Sequence, residues 1–139
     1  MDKKLSTPEW IIVVGGVVAF VASFLPWIDI DTGFGSATRS AWSDFAFPTY
    51  TWVGIFGFLM AAVIVVRTFT TVKLPENVLG FTWTQIHLVL GFFAALIAVS
   101  FMIAGDNFGI GFWLSLLAAA ALLVGAVMLH NEAPAPSAY

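Results

Sequence analysis

The polar side chains that could do chemistry in this chain are few and lie within long apolar stretches. The most prominent are Gln85 and His87, and the others are Ser23, Ser100, Ser115 and His130. An imidazole can carry a proton or ligate a metal ion or a haem iron. One hypothesis is therefore that His87 and His130, on two antiparallel helices, together ligate a metal ion or a haem iron. The simpler interpretation is a hydrogen bond from His87 to a neighbouring helix or to interfacial water.

Residue sets typical of catalytic or metal sites do not occur in the sequence. The chain has no cysteine, which excludes disulfides and thiolate chemistry. The acidic segment 29–35 does not fit a calcium loop, because Gly33 and Ser40 stand where such a loop needs an oxygen-bearing side chain and a bidentate glutamate. We therefore predict no catalytic residue, no metal and no cofactor. Gln85 and His87 remain as a candidate polar site within the membrane.

The composition indicates a protein embedded in lipid. Of its 139 residues, 60% are hydrophobic and only 9% are charged, whereas a soluble domain carries about a quarter charged residues. The mean hydropathy is +0.99. The net charge of −3 comes without any basic block, so nucleic acid is not expected as a partner.

Four apolar runs of near-spanning length account for most of the chain, and none contains Asp, Glu, Lys or Arg. They cover residues 10–28, 50–66, 82–104 and 108–129. A helix needs about 20 residues to cross the hydrocarbon layer, and continuous apolarity excludes the alternating pattern of a barrel. The predicted fold is an all-α bundle of four transmembrane helices with short loops. This single domain covers residues 1–131, and the tail 132–139 is expected to be disordered.

Tryptophan and basic residues predict how the bundle lies in the membrane. Five tryptophans fall near the ends of the runs, as in an interfacial aromatic belt: Trp10, Trp27, Trp52, Trp83 and Trp113. Basic residues favour one side, with Lys3, Lys4, Arg67 and Lys73 against Arg39 alone on the other. The positive-inside rule then predicts a multi-pass protein of the cell membrane with both termini in the cytoplasm. The first run is too long for a cleaved signal peptide and is expected to remain as a membrane anchor.

The longer external loop, from about Asp29 to Thr49, has two interpretations. Ser36 could cap a short amphipathic helix, with Ala41, Trp42 and Phe45 on one face, that lies on the membrane surface. Alternatively, the loop forms a β-hairpin that turns at Gly33-Phe34-Gly35.

Small residues recur every four positions in all four runs. The first run carries Gly15, Ala19 and Ser23, and the others carry Gly57 and Ala61, Gly91 and Ala95, and Ala121 and Gly125. Small side chains let helices approach closely and gain van der Waals contact in lipid. These stripes predict either packing inside the bundle or a face that docks onto another subunit.

The junction Phe24-Leu25-Pro26-Trp27 and the tail rich in alanine and proline add a resemblance. With its four apolar runs and lack of cysteine, the chain resembles small four-helix membrane proteins of high-GC Gram-positive bacteria. Some of those proteins are accessory subunits of envelope or respiratory complexes. The resemblance implies a similar bundle but transfers no functional residue.

Two functions follow as hypotheses. The first is a non-enzymatic accessory or scaffold subunit, which contacts membrane lipids and stabilises a larger membrane complex. The second is a small homo-oligomeric channel or transporter component, whose polar path would be lined by Gln85, His87, Ser100 and Ser115.

Overall fold

The computed structural model describes residues 5–31, 33–42, 50–75, 77–105 and 107–132, and these form a mainly helical chain. The helices are α1 (Thr7–Ala22), α2 (Thr51–Phe69), α3 (Trp83–Ala104) and α4 (Ile110–Glu132). The strands are β1 (Ile28–Asp31), β2 (Ser36–Arg39), β3 (Asn77–Val78) and β4 (Phe81–Thr82). By length and composition, α2, α3 and α4 can each cross a membrane, whereas α1 has only 16 residues.

The predicted bounds of α1, residues 10–28, are wrong at both ends. The helix begins earlier because Ser6 caps it, and the Glu9 carboxylate accepts a hydrogen bond from the Ser6 backbone N–H in return (3.0 Å). It ends at Ala22. Pro26 disfavours helical geometry at the residue before it, and the Trp27 N–H donates to the Arg39 carbonyl instead (2.7 Å).

The four helices pack as an antiparallel bundle. Helix α1 lies between α2 and α4, and α3 packs against α4 and, over a smaller contact, against α2. Gly125 of α4 lies beside Ile12 near the start of α1. The beginning of α1 and the last turns of α4 therefore share one end of the bundle, which we call the terminal end. The other is the distal end.

A hairpin, not a helix, follows α1. Strands β1 and β2 pair antiparallel, with Ile28 opposite Arg39 and Asp29 opposite Thr38. This confirms the hairpin interpretation, and the amphipathic helix starting at Ser36 is wrong. The chain is mainly helical, as the predicted fold class requires, with the hairpin added to its helices. The remainder of that predicted helix, residues 43–49, and the tail beyond residue 132 lie outside the described residues. A second short hairpin, β3–β4, precedes α3.

The distal end is closed by backbone hydrogen bonds between two loops. Phe108, in the link between α3 and α4, forms a bridge with Ile28. The Gly109 N–H donates to the Trp27 carbonyl (2.8 Å), and the Gly111 N–H donates to the Pro26 carbonyl (2.7 Å). The α3–α4 link thereby pairs with β1 and ties the two halves of the bundle together.

Glycines allow the closest helix contacts. A Cβ built on Gly16 would lie 2.2 Å from the carbonyl oxygen of Gly57, so α1 and α2 meet backbone to backbone. Gly91 of α3 approaches Leu122 of α4 in a similar way, with its would-be Cβ 3.1 Å from the carbonyl oxygen. Such close approach is how helices gain van der Waals contact in lipid.

Candidate functional site

Gln85 has a local structural role at the start of α3. Its side-chain oxygen accepts a hydrogen bond from the Thr82 N–H (2.9 Å), while the Thr82 hydroxyl accepts from the Gln85 N–H (3.3 Å). This is a capping box. The Gln85 side chain is exposed, whereas His87 is buried. The two residues predicted to form a polar site therefore lie on different faces of α3.

His87 is the most unusual polar residue of the bundle core. Its side chain is 1% exposed, and neither Nδ1 nor Nε2 has a hydrogen-bond partner within the described part of the chain. Glu9 and Arg67, both at the terminal end, are near enough to act on it electrostatically. A buried imidazole without partners carries a desolvation penalty.

Replacing His87 with leucine tests whether the imidazole has a binding role. Removing an unsatisfied buried polar group in favour of an apolar one of similar size is neutral or stabilising. We expect His87→Leu to raise the free energy of unfolding in detergent by about 1 kcal/mol. His87→Ala should lower it by about 2 kcal/mol through the cavity it leaves. A marked destabilisation by leucine, measured by thermal unfolding, would show that the imidazole has a bound partner.

The other polar candidates do not join His87 in a continuous path. Ser115 is buried in α4 with an unpartnered hydroxyl, but Ser100 is exposed and donates to the Ile97 carbonyl (2.8 Å). Ser23 accepts from the Trp42 indole N–H (2.9 Å) at the distal end. Two of the four residues proposed for a polar path, Gln85 and Ser100, thus face outward, and the other two face inward.

The two histidines lie in different environments. His130 is exposed in the last turn of α4, whereas His87 is enclosed. Across the described segments, no group of three or more His, Cys, Asp or Glu side chains is placed to hold a metal ion.

The distal end contains an aromatic cluster around Trp27, one of the tryptophans predicted to lie in the interfacial belt. Trp27 is fully buried, with ring centroids 5.4 Å from Phe101 and 5.7 Å from Phe112. Its indole N–H donates to the Ala22 carbonyl (3.1 Å). Trp27 therefore belongs to the core and not to a belt, whereas Trp10, Trp52 and Trp113 are exposed. Pro26 directly precedes Trp27 and disfavours helical geometry at the residue before it, and it was the sequence signal that Trp27 does not lie on the helix.

Two apolar grooves run along the outside of the helices. The larger, about 520 Å³, lies between α1 and α4, and we call it the α1–α4 groove. It is lined by Trp10, Ile11, Val14, Gly15, Val18, Leu114, Leu117, Ala118 and Ala121. The smaller, about 440 Å³, lies between α3 and α4 beside Phe92 and Phe93. No polar atom is exposed in either groove.

The small residues singled out in the sequence divide between the core and this groove. Ala19 and Ser23 pack against Gly57 and Gly54 of α2, and Gly91 and Gly125 lie at helix contacts within the bundle. Gly15 and Ala121 line the α1–α4 groove. Ala95 is half-buried, whereas its neighbours Ala94 and Ala98 are fully buried.

The described side chains thus provide two apolar grooves and one enclosed imidazole. An apolar groove can select a ligand by shape and hydrophobicity, and it offers no group for proton transfer. No protein-family model, curated protein or solved structure matches the chain.

Proposed function

We propose that this chain is a non-enzymatic accessory subunit that binds a transmembrane helix of a larger membrane complex in the α1–α4 groove. In this proposal α1 is a fourth span, because it is apolar and lies antiparallel between α2 and α4. The excess of basic residues on the side of the termini supports a cytoplasmic location for both ends. The observation that carries the proposal is the shape and apolarity of the groove.

The groove has the form that a helix needs. Large side chains form its walls, and two of them, Val14 and Leu117, are 54% and 68% exposed. Small residues lie between the walls: Gly15, Ala118 and Ala121. From Trp10 to Val18 the groove follows α1 for about 12 Å, or roughly two turns. A helix seated between these walls would cover their exposed apolar side chains and gain van der Waals contact with both α1 and α4.

A different protein chain fits the groove better than a second copy. In a two-fold dimer through this groove, the same concave surface would face itself. The walls would then meet while the space between the small residues stayed unfilled, which forfeits van der Waals contact. A second copy that inserted another of its faces would form a heterologous contact, which leads to rings or open filaments.

The matched pair Val14→Trp and Val17→Trp tests this assignment. Both valines lie on α1 and are similarly exposed, at 54% and 53%, but only Val14 lines the groove. Native membranes containing tagged protein would be solubilised in mild detergent, and co-purifying proteins would be quantified. We expect a stoichiometric membrane partner with the native chain and with Val17→Trp. At least a tenfold loss is expected with Val14→Trp, because the added ring occupies the groove.

Three results would contradict the proposal. Equal recovery of the partner with both variants would show that the partner binds outside the groove. Recovery of the chain alone, or with lipid only, would argue against an accessory subunit. The native chain could also purify as a stable homo-oligomer that Val14→Trp dissociates. That result would show that a second copy of the chain, and not a different protein, occupies the groove.

A further inference from the structure

A pocket of about 310 Å³ at the terminal end combines one cationic side chain with an apolar wall. It lies where α2 ends and α3 begins, and it is lined by Arg67, Val72, Leu74, Pro75 and Trp83. The Trp83 indole N–H donates to the Pro75 carbonyl (2.7 Å), which fixes the ring against the link. Unlike the α1–α4 groove, this pocket exposes mostly polar surface.

The guanidinium of Arg67 is available to a ligand. Arg67 is exposed in the last turn of α2 and makes no ion pair within the described part of the chain. The Glu9 carboxylate at this end is already engaged by the N–H and the hydroxyl of Ser6 (3.0 Å and 2.9 Å). Lys73, in the same link as the pocket wall, is also exposed.

We propose that this pocket binds an anionic phosphate group, with Arg67 as its main contact. A guanidinium matches phosphate geometry with two parallel hydrogen bonds. Val72 and Leu74 would contact the apolar part of an amphiphilic ligand. Basic pockets between helices at the cytoplasmic surface typically take anionic lipid headgroups. Phosphatidylglycerol and free phosphate share the required chemistry, and the experiment separates them. The proposal rests on the proposed topology, which puts this end of the bundle at the cytoplasmic surface, and it is independent of a partner in the α1–α4 groove.

The experiment uses the full chain, purified in detergent, with phosphatidylglycerol, phosphatidylcholine and inorganic phosphate as separate probes. Bound probe is counted by native mass spectrometry, and the unfolding temperature is followed in parallel. Arg67→Gln is compared with Arg39→Gln, which removes an exposed arginine at the distal end. We expect Arg67→Gln to weaken phosphatidylglycerol binding by about tenfold, and Arg39→Gln to leave it unchanged. Arg67→Lys should be intermediate, because it keeps the charge but loses the paired hydrogen bonds.

The probes identify the source of the phosphate. The pocket is assigned to a lipid headgroup if phosphatidylglycerol stays bound and raises the unfolding temperature while inorganic phosphate has no effect. Displacement of that lipid by millimolar inorganic phosphate assigns it to a free phosphate. Equal binding of phosphatidylcholine, or unchanged binding by Arg67→Gln with a native unfolding temperature, would overturn the proposal.

Discussion

A Gly16→Ala variant is expected to be strongly destabilised, although it adds only one methyl group. The new Cβ would lie 2.2 Å from the Gly57 carbonyl oxygen and 2.9 Å from the Ala61 Cβ. Neither atom can be moved by a side-chain rotation, so α1 and α2 must separate along their contact. Overpacking of this kind costs typically 1–3 kcal/mol and occasionally more, and we expect a loss of about 3 kcal/mol here.

Gly15→Ala provides the control one residue earlier on the same helix. Its Cβ would lie 3.3 Å from the Ala121 Cβ and 3.4 Å from the Ala118 carbonyl oxygen, which small shifts can accommodate. We expect a change below about 0.5 kcal/mol, since alanine also favours the helix over glycine. Both variants would be unfolded in detergent while helicity is followed by circular dichroism. Equal stability of the two would show that α1 and α2 are not in backbone contact.

Trp27→Ala is the second substitution for which we expect a large effect. The indole is 0% exposed, it packs against Phe101 and Phe112, and its N–H is satisfied by the Ala22 carbonyl. Removing a large buried aromatic side chain costs about 3–5 kcal/mol. The loss should also loosen the distal end, because the Trp27 backbone joins β2 and the α3–α4 link.

Trp10→Ala removes the same side chain from an exposed position of α1, where 54% of it is accessible. We expect the free energy of unfolding to fall by less than about 1 kcal/mol. The near-ultraviolet circular dichroism signal should fall more for Trp27→Ala than for Trp10→Ala, because Trp27 is fixed among other aromatic rings and Trp10 is exposed. If both variants lost stability equally, Trp27 would be better described as an interfacial residue.

The sequence predicted helices α2, α3 and α4 to within three residues at each end, because long apolar runs bounded by Gly, Pro and polar residues leave little choice. It was less successful for α1. The capping box at Ser6 and Glu9 lies before the apolar run, and the run continues past Pro26 into a strand. Hydropathy alone does not separate an apolar strand from the end of an apolar helix.

The candidate residues show a second limit of sequence analysis. Gln85 and His87 were predicted to form one polar site, although residues two apart on a helix point to different faces. Which face is turned inward could not be predicted, because these helices are apolar on all sides and have little amphipathic contrast. Trp27 was misassigned for a similar reason, since a tryptophan at the end of an apolar run suits an interface and a core equally well. The hairpin was one of two alternatives in the sequence; the strand pairing establishes it, and Gly33 and Gly35 adopt positive φ in its turn (80° and 135°).

The shortness of α1 has a consequence for the surrounding bilayer. Its 16 residues extend about 24 Å, against a hydrocarbon thickness of about 30 Å. As a span, α1 would create a negative hydrophobic mismatch on one side of the protein, which lipids relieve by local thinning. Thinner membrane regions, and neighbouring proteins with equally short spans, would then be energetically preferred along that side.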